Sequence, residues 1–263
     1  MKKIKKALIS VSNKKNLKLL LTGLNKYKIK FISSGGTFKK IRKLGFKCLE
    51  ISKYTDSPEI LGGRVKTLHP KIHAGILSKR NNKSHLKDLK KNNFEEIDLV
   101  IVNFYPFEKT LEITKNHQTI VENIDVGGPT MVRAAAKNYN DVTVITKQEQ
   151  YIKLINELKN NKGRTSLNFR QKMSETAFSE TAYYDALIFD YFNSKSKNKF
   201  PERKVIFGNL IEKLRYGENP HQEAAIYSKK KLNINQLNGK QLSYNNYNDI
   251  FSALLISKSL PKN

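Results

Sequence analysis

Short runs of Val, Ile and Leu alternate with helical patterns through the first 161 residues, and this alternation restricts the fold more than any other feature. The strand candidates are "KALISVS" (6–12), "IKFISS" (29–34), "KCLEIS" (47–52), "DLVIVNFYP" (98–106) and "DVTVIT" (141–146). Between them lie helical patterns at 16–27, 37–45, 83–93 and 128–139, with another at 147–161. The strand candidates are apolar runs rather than strict apolar–polar alternations, so both faces of the sheet are covered. The expectation is a doubly wound α/β domain with a mainly parallel sheet over about 1–145, joined by C-terminal helices over 148–195. The best linker is the polar, Pro-containing "NSKSKNKFPERK" (193–204).

The chain has 263 residues, enough for one large domain plus part of a second. Its net charge of +26 raises the question of a nucleic-acid partner. Only 8 of its 49 basic residues are arginine, and the lysines are spread through every segment. A nucleic-acid surface clusters its charge and favours the arginine fork, so the expectation is an ordinary fold under a lysine-rich bias, with no specific nucleic acid. Cys48 is the single cysteine, which excludes an internal disulfide framework. No apolar run reaches membrane-spanning length. The basic start followed by a short apolar stretch reads as a first strand rather than a leader. A cytoplasmic setting is expected.

Six of the 13 glycines form doublets, at 35–36, 62–63 and 127–128. Two doublets precede a helical pattern, where backbone N–H groups can converge on an anion. In an open parallel sheet, ligands sit beyond the carboxyl ends of the strands. Ser10, Ser12 and Lys14 follow the first strand, and "SSGGT" (33–37) follows the second. Asn103 and Tyr105 follow the fourth, and Asp125 precedes the 128–139 helix. Arg64, Lys66 and Thr67 lie in a glycine-hinged loop able to fold over the same rim. There is no GxGxxG and no GxxxxGK[ST], so a phosphate monoester fits better than a dinucleotide or a nucleoside triphosphate. His69 and His73 are four residues apart, but Pro70 interrupts them and no third ligand is evident, so no metal is expected.

Seven motifs together resemble one family, the bifunctional purine-biosynthesis protein that combines AICAR formyltransferase with IMP cyclohydrolase. They are "ISVSNK" (9–14), "SSGGT" (33–37), "TDSPEILGGRVKTLHPKIHAGIL" (55–77), "NFYPF" (103–107), "IDVGGPTMVRAAAKN" (124–138), "SETAFSETAYYD" (174–185) and "LRYGENPHQ" (214–222). The resemblance implies a methylglyoxal-synthase-like cyclohydrolase domain over 1–195. Over 196–263 it implies a linker and an incomplete second domain, the opening of the formyltransferase. It implies closure of the formylated carboxamide ribonucleotide (FAICAR) to IMP and water, with no cofactor. By the same resemblance Ser12, Lys14, Ser34, Gly36 and Thr37 lie at the phosphate. Arg64, Lys66, Thr67, Asn103, Tyr105, Asp125, Gly127 and Lys137 surround the base, and Ser10, Phe104, Val126 and Gly128 complete the expected substrate-binding set.

The reaction accounts for these residue types. A carboxamide nitrogen attacks a formyl carbon, and the developing oxyanion wants cationic and N–H donors. Lys66 and the backbone N–H groups at 126–128 suit that task. Asp125, Tyr105 and Lys137 form a proton-handling set. Each has a plainer alternative: Asp125 as a helix cap, Tyr105 as a strand-end aromatic, Lys137 as a cation at a helix C-terminus. The family's second half uses 10-formyltetrahydrofolate, and its Lys-His pair follows the position of Asn263. The expectation is therefore no formyl transfer, and poor order or aggregation for 200–263. Family members are homodimers acting on small nucleotides, without a membrane. Rival readings are an inactive fragment, a phosphate-ligand-binding regulatory domain of the same fold, and a basic nucleic-acid-binding protein.

Overall fold

The computed structural model describes residues 1–196, 199–230 and 232–261. Its chain divides into two units, Met1–Tyr191 and Phe192–Asn263. Lys197 and Asn198 of the expected linker, together with Lys231, Lys262 and Asn263, lie outside the described residues.

The first unit opens with β1 (Lys2–Lys3), β2 (Lys6–Val11), α1 (Leu17–Asn25), β3 (Lys30–Ser33), α2 (Gly35–Lys43), β4 (Leu49–Glu50) and α3 (Ile51–Thr55). Then come α4 (Pro70–Leu77), α5 (Lys83–Lys91), β5 (Leu99–Asn103), α6 (Phe107–Ile113), α7 (His117–Glu122) and α8 (Gly127–Lys137). It closes with β6 (Thr143–Ile145), α9 (Gln150–Asn160), β7 (Arg164–Thr165) and most of α10 (Leu167–Lys195), whose residues after Tyr191 fall in the second unit. Five strands form one sheet in the order β4-β3-β2-β5-β6, and every pairing in it is parallel. The doubly wound α/β fold expected from the apolar runs is present. Ala7, Leu8 and Ile9 of β2 and Leu99 and Val100 of β5 are fully buried, as residues between two helical layers must be. The first two lysines are tied down by antiparallel pairing of β1 with β7.

Strand order reverses at β2. The chain first winds outward through β3 and β4, then returns to lay β5 on the other side of β2. The carboxyl ends of β2 and β5, Val11 opposite Asn103, therefore mark the crevice where an open α/β sheet takes its ligand.

Two local expectations are corrected. The strand foreseen at 47–52 stops at Glu50, because Ile51 turns inward to begin α3 and the Thr55 hydroxyl donates to its carbonyl at 2.9 Å. Pro70 does not interrupt a helix but starts α4, occupying the first turn, where its missing N–H costs nothing. His69 caps that helix, its Nδ1 accepting from the Lys71 N–H at 3.1 Å. His73 donates to the Thr67 carbonyl, and burial lowers its pKa.

In the second unit, β8 (Asn209–Lys213) pairs antiparallel with β9 (Ala225–Ser228), and α11 (Tyr244–Ser259) starts at a Ser243 capping box. Residues 200–263, expected to be poorly ordered, thus carry regular elements among those described. Apolar exposure is nevertheless large: Ile206, Leu237 and Leu255 stand open, and Tyr247 is the buried residue of α11. No helix among the described residues is long and apolar enough to cross a membrane.

Candidate active site

Three chain crossings build the crevice above β2 and β5. The loop after β2 is held by Asn103, whose amide accepts the Asn13 N–H at 3.0 Å and donates to the Asn13 carbonyl at 3.2 Å. Within this loop the Lys14 ammonium donates to the Ser12 carbonyl at 3.2 Å. The turn after β3 is held by hydroxyls: Ser33 donates to the Ile9 carbonyl at 2.6 Å, and Thr37 donates to the Val11 carbonyl at 2.9 Å. α2 then starts at Gly35 in a left-handed conformation, φ 51°, and no side chain caps its first turn. The positive end of that helix faces the crevice. A Cβ placed on Gly36 would lie 3.7 Å from the Lys14 Nζ.

The second crossing is the segment of residues 60–67. Ile60 and Val65 exchange backbone hydrogen bonds around a tight turn, with Gly62 and Gly63 at φ 65° and 88°. This turn puts the Lys66 Nζ 3.8 Å from a Cβ built on Gly35 and 3.6 Å from one built on Gly63. Lys66 thus reaches the first turn of α2 from above. Thr67 is buried, and its Oγ1 stands 2.3 Å from where a Gly127 Cβ would be.

The third crossing leads into α8. Asp125 Oδ1 accepts the Gly128 N–H at 2.8 Å, and the carboxyl also accepts the backbone N–H of Tyr105. Its own N–H donates to the Tyr184 hydroxyl at 2.8 Å. The carboxyl thus satisfies one first-turn N–H of α8, although the N-cap position itself is held by Val126. That contact does not exhaust the residue, because Lys66 also acts electrostatically on this carboxyl. Burial pushes the Asp125 pKa up, and the two N–H donors and Lys66 offset that only in part. The outcome is a carboxyl with a raised pKa, under the influence of the Lys66 ammonium.

Other expected residues are placed differently. The Thr37 hydroxyl is engaged with both the N–H and the carbonyl of Val11, so it braces the turn and leaves its backbone for a ligand. The Asn103 amide is likewise occupied in holding Asn13. Phe104 packs against Tyr184 with ring centroids 5.0 Å apart, inside a small aromatic cluster. Arg64 grips Glu122 of α7 with two nitrogens, its Nε at 3.0 Å from Oε1. Lys137 is the last residue of α8, about 15 Å along the helix axis from Gly127. Ser10 and Ser12 are half-buried at the end of β2, Ser34 is buried before α2, and Tyr105 and Val126 are exposed at the rim.

Sequence reading missed Tyr184 and Glu122. Tyr184 lies in a motif that was noticed, but nothing in one sequence tells which of Tyr183 and Tyr184 faces inward.

Comparison with known proteins agrees with the fold. The MGS-like domain family matches residues 17–130, and the AICARFT/IMPCHase bienzyme family matches residues 135–263. The bifunctional purine biosynthesis protein PurH of Bradyrhizobium diazoefficiens is 44% identical over 257 residues, covering 96% of this chain and 48% of that protein. PurH of Acetivibrio thermocellus is 44% identical over 263 residues, covering 97% of this chain and 51% of that protein. The chain therefore spans about half the length of the curated relatives it matches. A solved structure described as the crystal structure of ForH superposes with a TM-score of 0.66 at 30% identity, over 74% of this chain and all of that one.

Proposed function

The chain belongs to the AICARFT/IMPCHase bienzyme family, and on that premise we propose that its first unit closes FAICAR to IMP with release of water. The observation that carries this reading is the meeting of Lys66, Asp125 and the uncapped start of α2 at the sheet's switch point. The proposed domains are a cyclohydrolase over 1–195 and the opening of a formyltransferase domain over 196–263.

The nucleotide phosphate lies on the first turn of α2 beside Lys14, where N–H groups and an ammonium meet it. That places the heterocycle under Lys66, near Asp125. The carboxamide nitrogen attacks the formyl carbon, making the new C–N bond. One proton leaves that nitrogen for the Asp125 carboxylate, and the formyl oxygen gathers negative charge facing the Lys66 ammonium. The oxygen then takes up this proton and a second from the formamido nitrogen, and it departs as water while the C=N bond forms. A carboxyl with a raised pKa suits both halves of that exchange. Tyr105, exposed at the rim, is a hydroxyl near the proton path. Holding both reacting groups of one molecule in contact supplies much of the acceleration.

On this reading the ring closure needs no cofactor, and 10-formyltetrahydrofolate belongs to the family's other reaction. Assembly as a homodimer and a cytoplasmic setting are part of the same proposal, and sedimentation of the purified protein tests the former.

The test is ultraviolet detection of IMP formed from FAICAR by the purified chain, beside Lys66→Ala and Asp125→Asn. The wild type is expected to close the ring, and each variant to lose about a hundredfold or more in kcat, the usual effect of removing an oxyanion or proton-transfer partner. Equal rates in all three would refute the site. No closure by the wild type would refute the activity.

A further inference from the structure

We propose that Tyr184 is a positioning residue for Asp125: by accepting the Asp125 backbone N–H at 2.8 Å it aims the carboxyl at the reacting atoms. This rests on the ring-closing reading, but it concerns a residue that reading does not use.

The aromatic ring of Tyr184 is wedged between the two segments that supply Asp125 with its hydrogen bonds. It packs on Phe104 at 5.0 Å and edge-on to Phe107 at 6.1 Å, which flank Tyr105 in sequence. Tyr105 gives its backbone N–H to the Asp125 carboxyl. The hydroxyl of Tyr184 holds the Asp125 main chain, three residues before the Gly128 N–H that binds Oδ1. One buried side chain therefore sets the distance between the carboxyl and both of its donors. The groups facing Asp125 are Lys66 from the 60–67 segment, Tyr105 after β5 and Tyr184 on α10; Asp185 stands next to Tyr184. Burial pushes the Tyr184 phenol up to about 12, so it remains a neutral acceptor wherever Asp125 titrates. Without that acceptor the 125–126 backbone can swing, and the carboxylate loses fixed N–H donors. Losing donors raises a carboxyl pKa further and blurs its aim.

Tyr184→Phe keeps the ring and removes only the hydroxyl. Tyr191→Phe is the control: Tyr191 is buried in the same aromatic cluster and bonds His117 at 2.7 Å. Two readouts are needed, FAICAR kinetics across pH and a carbon-13 NMR titration of the Asp125 carboxyl without substrate. In Tyr184→Phe, kcat is expected to fall about tenfold with KM changed less than about twofold, a loss of aim rather than of binding. The acid limb of kcat and the Asp125 titration both move to higher pH, while Tyr191→Phe matches the wild type in both. An unchanged Asp125 titration in Tyr184→Phe, or the same shift in Tyr191→Phe, would overturn the proposal. A wild type without ring closure would bring down the ring-closing reading alone, since the titration still decides the role of Tyr184.

Discussion

α2 and α8 both begin at a glycine doublet, and both beginnings line the crevice, yet the glycines are there for different reasons. Gly35 is needed for its shape: its φ of 51° is left-handed, and the nearest atom to an added Cβ is 3.8 Å away. Gly127 and Gly128 are needed for their emptiness. Neither has a positive φ, but a Cβ would meet Thr67 Oγ1 at 2.3 Å in one and Asp125 Oδ2 at 2.5 Å in the other. The start of α2 is a bent, uncapped backbone. The start of α8 is a regular backbone packed against the side chains of Thr67 and Asp125. The same dipeptide thus serves a left-handed backbone turn in one place and a close fit around the Asp125 carboxyl in the other.

The contrast is broken most severely by Gly128→Ala. The new methyl displaces the Asp125 carboxyl from its Gly128 and Tyr105 donors, and ring closure is expected to fall about a hundredfold, the scale of a misplaced reacting group. Steady-state kinetics with FAICAR checks this; a rate near that of the wild type would mean the carboxyl is not held as described. Gly35→Ala acts on conformation instead. It should lower stability by about 1–2 kcal/mol, the cost of a left-handed residue with a Cβ, measurable by urea unfolding.

Asp125→Asn separates stability from activity. Its folded pKa lies above the ordinary 3.8, so the unfolded chain gives up this proton first as pH rises, and the ionised carboxyl then weighs against the folded state. The variant should melt at a higher temperature than the wild type at pH 7. The gap should shrink as pH falls through the folded pKa and vanish below 3.8. A melting series from pH 3 to pH 8 reads the sign, and a lower melting point at pH 7 would contradict it. The smallest effect belongs to Gly36→Ala. An added Cβ is in ordinary contact with Lys14, so stability should change by less than about 1 kcal/mol while KM rises, because the methyl crowds the phosphate. An unchanged KM would argue that the phosphate lies elsewhere.

The parallel sheet and the placing of three loops on one rim were legible because buried strands and glycine turns write themselves locally. Lys14 and Lys66 both reach the glycine doublet that opens α2. Several candidate side chains make contacts with residues distant in sequence, which local pattern does not show. Arg64 was a candidate for the ligand, and only the fold brings Glu122, 58 residues away, within its reach. Thr37 and Asn103 carry groups fit for a nucleotide, yet each is occupied by backbone, Thr37 by Val11 at the end of β2 and Asn103 by Asn13 in the loop after it, 26 and 90 residues distant. Lys137 shares a motif with Asp125, and a helix of 11 residues separates it from the start of α8. Pro70 reads as a breaker or as a first-turn residue according to what precedes it, and His69 as a cap decides that.

The middle strand of the sheet is also the earliest substantial strand in the chain. β2 gains one neighbour soon, with Lys6 beside Lys30, but its other edge waits for β5, where Ala7 meets Leu99. During synthesis the cradle formed by Lys14 and α2 can therefore take shape while one flank of β2 still lacks its partner, and the half holding Asp125 arrives last. A nascent chain paused before Leu99 has a bare, apolar sheet edge, which makes that interval the one in which a chaperone has most to protect.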